Sequence, residues 1–471
     1  MHERNQYKTP PDFESLAYAY PPLQPHVIHA PEDGSPTIDF HDETAQRRLT
    51  QALLFRDFDI QLEIPDDRLC PPVPNRLNYV LWLQDVLSHS SSQDRPPTSI
   101  RGIDVGTGAS AIYPLLACRL SPDWRFVATD VDTVSLASAQ ANIDRNGLSE
   151  RISVLRADPT GPILFPLNQD PAASFDFSMC NPPFYASAEE VVRSAAAKAL
   201  SPNAVCTGAE VEMVTAGGEE GFVGRMVRES LALGERCRWY TSMLGKLSSL
   251  TALVSLLRAH SITNYALTEL VQGHTRRWAL AWSFTDARLP DDVARPSAPA
   301  LHRLLPPRTT FRQRLDRAPP ARAVQQVLGA LSGESEAGEV AVAPLSETVD
   351  GSRGETYAVA ARRDTWSRAA RRKKAQLLRS PDTGPGAVVE VGTGAGFGTG
   401  VGEEAGAALV AHVWIEGERV GMSGGSGVQL VVQWKRGHDA QAFESFASHV
   451  GRKIREAPVS GGASHTVRQL N

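Results

Sequence analysis

At 471 residues the chain is long enough for two or three domains, each with its own core. A formal net charge of −5 argues against a generic polyanion binder, though net charge leaves room for a local basic groove. The five cysteines (Cys70, Cys118, Cys180, Cys206 and Cys237) form no C-x-x-C pair and no cluster with histidine. That excludes the usual zinc spacings, so no metal is expected, and it favours a reducing compartment. Met1–Lys8 has no apolar core of a signal peptide, and no stretch has the apolar length of a bilayer span. A soluble, intracellular protein is expected.

The segment to Thr37 is rich in Pro, Tyr and His and has little periodicity. It reads as an extended arm, and its Arg4, Lys8 and aromatics suit RNA contact as well as a plain tail. Asp42–Leu54 has helical spacing, and Asn75–Leu87, just after Pro74, is a second amphipathic helix. From Ser99 to Phe284 the pattern is strand, glycine turn, helix, strand. Strands are expected at Ile100–Val105, Arg125–Asp130, Ile152–Arg156 and Phe175–Cys180, with helices at Ile112–Leu120 and Thr133–Asn142. This alternation predicts a doubly wound, mostly parallel α/β sheet with its ligand at the strand C-termini.

After Asp286, Pro, Arg and Ala dominate, which reads as a linker over about 288–320. A small α+β domain is expected over 321–457, with two similar halves as one organisation it could take. Its helices are Ala321–Leu331, one carrying Arg371-Arg-Lys-Lys374, and Gln441–Arg455. Its strands are near Glu339–Ala343, Thr356–Ala361, Ala407–Glu416 and Val428–Lys435, with a Gly-rich interval near 380–405 and a tail over 458–471. The Arg371–Lys374 run suits nuclear import, RNA contact or solubility alike.

Two motifs carry chemistry. Asp104-x-Gly106-x-Gly108 follows a strand, and glycines there let backbone approach a ligand where a Cβ would clash. Asp130 ends the next strand about twenty residues on, where a carboxylate suits a ribose diol. Both acids also suit plain capping or turn roles. The turn alone fits a dinucleotide as well as S-adenosylmethionine. Asn181-Pro182-Pro183-Phe184 at the end of Phe175–Cys180 decides between them. A side-chain amide and a proline-fixed carbonyl accept the two hydrogens of a planar amine, and the ring stacks on a base taken out of its stack. The competing reading of Phe184 is a core residue. A second glycine run, Glu390–Gly396, lacks both the helix and the Asn-Pro-Pro-Phe, and reads as low-complexity loop.

Taken in order, these residues resemble the methyltransferase-like 16 family, the U6 small nuclear RNA adenine-N6 methyltransferases. The resemblance runs to about Asp286. It rests on Met1–Phe13, Val73–Tyr79, Gly102–Ser110, Met179–Phe184, Leu233–Leu250 and Gln272–Phe284. It implies a Rossmann-like class I S-adenosylmethionine-dependent methyltransferase domain over 38–287, after an RNA-contacting arm over 1–37. It also implies that Arg76, Gly106, Ser110, Asp130 and Asn181 contact the donor and that Phe184 stacks on the flipped adenine. Asp104, Gly108, Asp158 and Gly161 join the donor site. Pro10, Pro11, Asp12, Phe13, Lys198–Ala209, Gly245, Lys246, Leu247 and Gln272–Arg277 would touch RNA. The C-terminal domain loosely resembles the family's vertebrate-conserved region, best over Val428–Lys435 and Phe443–Ile454, which implies an RNA-binding α+β module. A nuclear location follows, with the cytoplasm as a second compartment.

The chain departs from the family in three places. Asp130 stands where the family has glutamate. The loop Ala157–Pro162 lacks the family's gating lysine, and its Asp158 resembles the acid that generic methyltransferases aim at the donor's adenine. His274 replaces an arginine, with Arg276 and Arg277 close behind. For Arg276-Arg277-Trp278 the bland reading is a solvated face over a buried strand; phosphate contact is favoured. The expected chemistry is methyl transfer to adenine N6, helped mainly by positioning. Two rivals remain: an enzyme methylating a glutamine amide, and an RNA-binding protein with a vestigial site.

Overall fold

The four strands expected between Ile100 and Cys180 lie, with three further strands, in one seven-stranded sheet in the computed structural model. The structure describes residues 1–30, 34–90, 99–187, 189–191, 209–273, 275–316, 319, 322–334, 339–345, 355–377, 407–417 and 428–457. They divide into two units. The first takes 1–90, 99–285 and 292–306, and the second takes 286–291 and the chain from 307. The second glycine run, the Gly-rich interval, the C-terminal tail, Lys198–Gly208 and His274 lie outside the described residues.

The first unit begins with helix α1 (Phe13–Ala19), a small hairpin of β1 (Val27–His29) and β2 (Pro36–Ile38), and helices α2 (Glu43–Phe58) and α3 (Val73–Ser90). Then come β3 (Ile100–Val105), α4 (Ile112–Leu120), β4 (Trp124–Asp130), α5 (Thr133–Arg145), β5 (Ile152–Arg156) and β6 (Phe175–Cys180). Helix α6 (Gly218–Leu233), β7 (Cys237–Leu244), helix α7 (Leu247–Ala259), β8 (Tyr265–Gln272) and β9 (Thr275–Trp282) complete it. Local chemistry explains the ends. Asp42 and Asp132 cap α2 and α5 by accepting backbone N–H groups, and Pro74 sits in the first turn of α3, where no N–H is needed.

The sheet order is β5-β4-β3-β6-β7-β9-β8. β3 pairs in parallel with β4 and β6, and the β8–β9 hairpin closes the edge antiparallel to β7. The chain leaves β3 towards one side and returns through β6 on the other, so the strand order reverses between them. Register makes this matter: Val105 lies beside both Thr129 and Cys180. The segments that follow (the glycine turn, Asp130 and Asn181) therefore emerge together at the C-terminal edge, where such sheets bind ligands. Gly102 is required in β3 for another reason, since a Cβ there would lie 2.3 Å from the Phe177 ring.

Two expectations need correction. The N-terminal arm is folded, not extended. Tyr7, Phe13, Leu16 and Leu23 are buried, and Asn5 donates to the Pro74 carbonyl and to Asn78 Oδ1 on α3 (2.9 and 2.8 Å). Proline-containing 3-10 turns carry no helical period, which is why the segment looked irregular. The expected linker is also structured. It holds the short helix Asp291–Ala294, a 3-10 turn at Pro299–Leu304 with Leu301 and Leu304 buried, and a strand at Thr310–Leu315.

That strand, β10, opens the second unit. Helix α8 (Ala323–Glu334), β11 (Val340–Leu345), β12 (Thr356–Ala361), helix α9 (Arg368–Leu377), β13 (Leu409–Gly417), β14 (Val428–Arg436) and helix α10 (Ala440–Glu456) follow. The five strands form an antiparallel sheet, β10-β14-β13-β12-β11. Leu328, Phe443, Phe446 and Val450 from α8 and α10 share a core with Leu430, Val432 and Trp434 of β14. The Arg371–Lys374 run falls on α9.

Candidate active site

Between β3 and α4 the chain must turn sharply beneath any ligand. Gly106 and Gly108 do so with φ of +70° and +62°, a region that costs glycine nothing. The N–H groups of Gly106 and Thr107 both donate to the Thr129 carbonyl, and that of Gly108 donates to Asp130 Oδ2 (2.9 Å). Asp130 Oδ1 accepts from Asp132 N (3.0 Å). Burial raises the Asp130 carboxyl above its usual range, while these backbone donors oppose the shift.

The turn forms one wall of a cavity of about 310 Å³. Arg76, Gly106, Gly108, Ser110, Asp130, Asp158, Gly161 and Asn181 all line it, so the structure brings together eight of the nine expected donor residues. Asp104 is the ninth and lies fully buried behind the turn. Burial, helped by the charge of Asp130, pushes its carboxyl up to about 7; Thr107 and Arg76 pull the other way. Arg76, from α3, is buried too. Its Nη1 donates to the Tyr113 hydroxyl (3.0 Å).

The polar atoms here are underused. Arg76 Nε, Thr107 Oγ1 and Asn181 Oδ1 on the cavity lining, and both carboxyl oxygens of Asp104 behind the turn, are buried with no hydrogen-bond partner among the described residues. Each such atom costs about 1–3 kcal/mol, so a concentration of them marks a place where a polar ligand supplies the missing bonds.

Asp158 sits at the rim. Its Oδ1 accepts the Thr160 N–H and hydroxyl (both 2.8 Å), which holds it below the usual carboxylate range. Its loop is fastened from α6: Arg225 donates to the Gly161 carbonyl (3.0 Å), and Glu229 accepts from Ile163 N and Leu164 N (3.0 and 2.9 Å).

Asn181 leads from the cavity to the aromatic end of the site. Pro182 is buried, and Pro183 and Phe184 are half-buried, so the Phe184 ring is no core residue. The Arg277 guanidinium lies over that ring, 5.7 Å from its centroid, and a Cβ on Gly245 would fall 2.9 Å from it. Lys246 pairs with Glu190 (2.6 Å), and Arg276, exposed on β9, pairs with Glu269 (3.0 Å). Gly245, Lys246 and Arg277 therefore gather around the aromatic turn. The N-terminal residues do not join them by the same kind of contact. Asp12 caps α1 by accepting from Glu14 N and Ser15 N, and Phe13 is buried; the folded arm leaves Pro10 exposed and Pro11 half-buried.

Sequence reasoning missed several participants. Glu212 lines the cavity; its Oε2 accepts from Leu69 N and Ala209 N, and its Oε1 lies 3.6 Å from where a Cβ on Gly108 would stand. Burial raises its carboxyl. Glu219, Thr107, Tyr113 and Arg225 were missed as well. Only Glu219 had a visible signal, an acid just after a Gly-Gly turn at a helix start. Among the described residues no group of His, Cys, Asp and Glu has the arrangement of a metal site, and no helix is long and apolar enough to cross a membrane.

A parallel sheet reversing at β3 and β6, a glycine turn, an acid ending β4 and an amide ending β6 define a Rossmann-like methyltransferase fold. Residues 1–286 match the family described as RNA methyltransferase, and the chain belongs to that family. It is 43% identical over 309 residues to a mouse relative named RNA N(6)-adenosine-methyltransferase METTL16, covering 65% of this chain and 54% of the relative. It is 34% identical over 420 residues to a Schizosaccharomyces pombe relative named U6 small nuclear RNA (adenine-(43)-N(6))-methyltransferase, covering 89% of this chain and 95% of the relative. The N-terminal domain of human METTL16 in complex with SAH superposes with a TM-score of 0.51 at 40% identity, over 61% of this chain and 99% of that one. The chain thus spans about half the length of the vertebrate curated relatives it matches and nearly all of the yeast one.

Proposed function

We propose that this protein transfers a methyl group from S-adenosylmethionine to adenine N6 in a structured RNA, that U6 small nuclear RNA is its substrate, and that it works in the nucleus. The observation that carries the reading is Asn181 Oδ1: a buried acceptor without a partner, on a residue that lines the cavity with the glycine turn and stands three residues before Phe184. The names of the mouse and yeast relatives support the same substrate atom, and the yeast name supports the RNA.

The cavity residues fit the donor. Asp130 suits a ribose diol, the Arg76 guanidinium suits a carboxylate, and Gly106 and Gly108 leave the backbone bare beside it. S-adenosylmethionine supplies an electrophilic methyl on a sulfonium. The protein's task is to present the amine. The nitrogen lone pair of adenine is delocalised into the ring, so N6 is a poor nucleophile. Asn181 Oδ1 and the Pro182 carbonyl accept its two hydrogens and favour the pyramidal, reactive form. Phe184 stacks on the base and holds N6 in line with the methyl. No strong general base is needed, because the extra proton becomes acidic only once the bond has formed. Positioning and oriented dipoles supply the acceleration.

The test is methyl transfer from labelled donor to an adenine-containing RNA hairpin. Asn181→Ala is expected to lower the rate by about 10²–10³-fold, the usual effect of removing one oriented polar group at a reacting centre, and to leave RNA binding largely intact. Undiminished transfer by that variant overturns the mechanism. Methyl on a glutamine amide, or RNA binding without transfer, would replace the whole reading.

A further inference from the structure

We propose that Glu219 is the positioning residue of the aromatic clamp, a role that rests on the adenine reading above. Glu219 is only 1% exposed, on the first turn of α6. A buried carboxylate needs partners, and this one takes two backbone donors: Gly245 N on Oε2 (2.6 Å) and Lys246 N on Oε1 (2.8 Å). Those amides belong to the turn between β7 and α7, and Lys246 is the N-cap of α7 with no side-chain cap of its own. Glu219 thus does for α7 what a capping side chain does elsewhere.

The geometry ties this carboxylate to Phe184 from two directions. A Cβ on Gly245 would meet Phe184 Cδ1 at 2.9 Å and Glu219 Oε2 at 3.2 Å, so the turn that Glu219 holds presses directly on the ring. Gly218, one residue before Glu219, packs on the backbone of the same motif; a Cβ there would lie 3.3 Å from the Phe184 carbonyl oxygen and 3.4 Å from Ala186 N. The start of α6 therefore supports the clamp's backbone directly and its ring through Gly245. Glu219 does not line the donor cavity. Its effect is confined to where the ring stands, and so to how the base is held.

Glu219→Gln keeps the size, removes one acceptor and sets an NH2 against a backbone N–H. Transfer to an adenine hairpin at saturating donor and RNA is expected to fall about 10–100-fold, the scale of a misplacement near 1 Å, while donor affinity measured by calorimetry stays at the wild-type value. In a hairpin with 2-aminopurine at the target position, emission is expected to rise in Glu219→Gln as in Phe184→Ala, because stacking quenches it. The double variant is expected to be no slower than Phe184→Ala alone, the signature of residues acting through one contact.

Full activity of Glu219→Gln overturns the proposal, as do losses that multiply in the double variant or a donor affinity that falls with the rate. Should Glu219→Gln not fold, Gly245→Ala carries the same test: it intrudes on the ring, and an undiminished rate overturns the proposal equally. A wild-type protein inactive on every adenine hairpin would remove the enzymatic reading itself, a different failure from an active wild type matched by its Glu219→Gln variant.

Discussion

The donor cavity and the aromatic end of the site are built on opposite plans. At the cavity several polar groups are buried and short of partners: Arg76 Nε and Asn181 Oδ1 on its lining, and the Asp104 oxygens behind the glycine turn. The cations on the side of Phe184 are exposed or half-exposed and already paired, Lys246 with Glu190 beside the turn and Arg276 with Glu269 further along β9. The first plan stores the cost of desolvation in advance, so a ligand that supplies hydrogen bonds gains the whole of what the protein lacks. The second holds its cations on surface carboxylates, in pairs worth well under about 1 kcal/mol each. A phosphate can displace such carboxylates at little cost. A small, invariant donor suits the first plan and a large, variable RNA suits the second.

The sharpest way to break this comparison is Arg76→Ala. If the cavity is a preorganised polar site, losing a buried guanidinium is expected to weaken donor binding by about 10–100-fold, the range for hydrogen bonds to charged groups, with RNA affinity unchanged. A smaller loss, or one shared by RNA, would blur the two halves into one. Calorimetry with the donor and a filter assay with the hairpin separate the outcomes. Phe184→Ala probes the other half. Stacking on an aromatic ring is worth about 1–3 kcal/mol, so transfer is expected to slow by roughly tenfold or more while donor affinity holds.

Much of this architecture was legible in the chain. From Ile100 to Cys180 the strands are short, largely apolar runs, two of them ended at Gly106 and Asp130, and the helices show their period, so sheet and crossovers followed directly. In the second unit the helices and strands also fell close to their expected places. Thr310–Leu315 escaped because its residues alternate with arginine and glutamine inside a Pro/Arg-rich stretch and its partner, Val428–Arg436, is more than a hundred residues away. The helix-capping of Asp12 and the burial of Phe13 were not legible in the irregular arm. Glu212 was illegible, and Glu219 showed only an acid after a Gly-Gly turn at a helix start, for a physical reason. Each is defined by backbone amides from distant segments, and no local spacing records that. The missing partner of Asn181 Oδ1 is likewise a property of packing, although the motif around it was plain.

The smallest expected effect tests the cost stored in the cavity. Burial pushes the Asp104 carboxyl up to about 7, so near pH 6 the folded protein keeps a proton there that the unfolded chain, with an ordinary aspartate, has lost. The unfolded state then binds fewer protons than the folded one, and stability falls as pH rises from about 4 to about 7. The carboxyls that folding depresses act elsewhere: Asp132, down to about 2 through the Ser135 donors and Arg68, loses its contribution only below the ordinary aspartate range. Between pH 5.5 and 7 the Asp104 effect is therefore seen without theirs. Ligand-free protein is expected to lose about 1 kcal/mol across that interval, or roughly 2–4 °C in the unfolding temperature of a unit this size. Asp104→Asn removes the titrating group and should flatten the slope, leaving the weaker, like-signed contributions of Asp130 and Glu212. An unchanged slope in that variant would mean that Asp104 is not the group carrying the cost, and that the donor cavity is less strained than its unpartnered atoms imply.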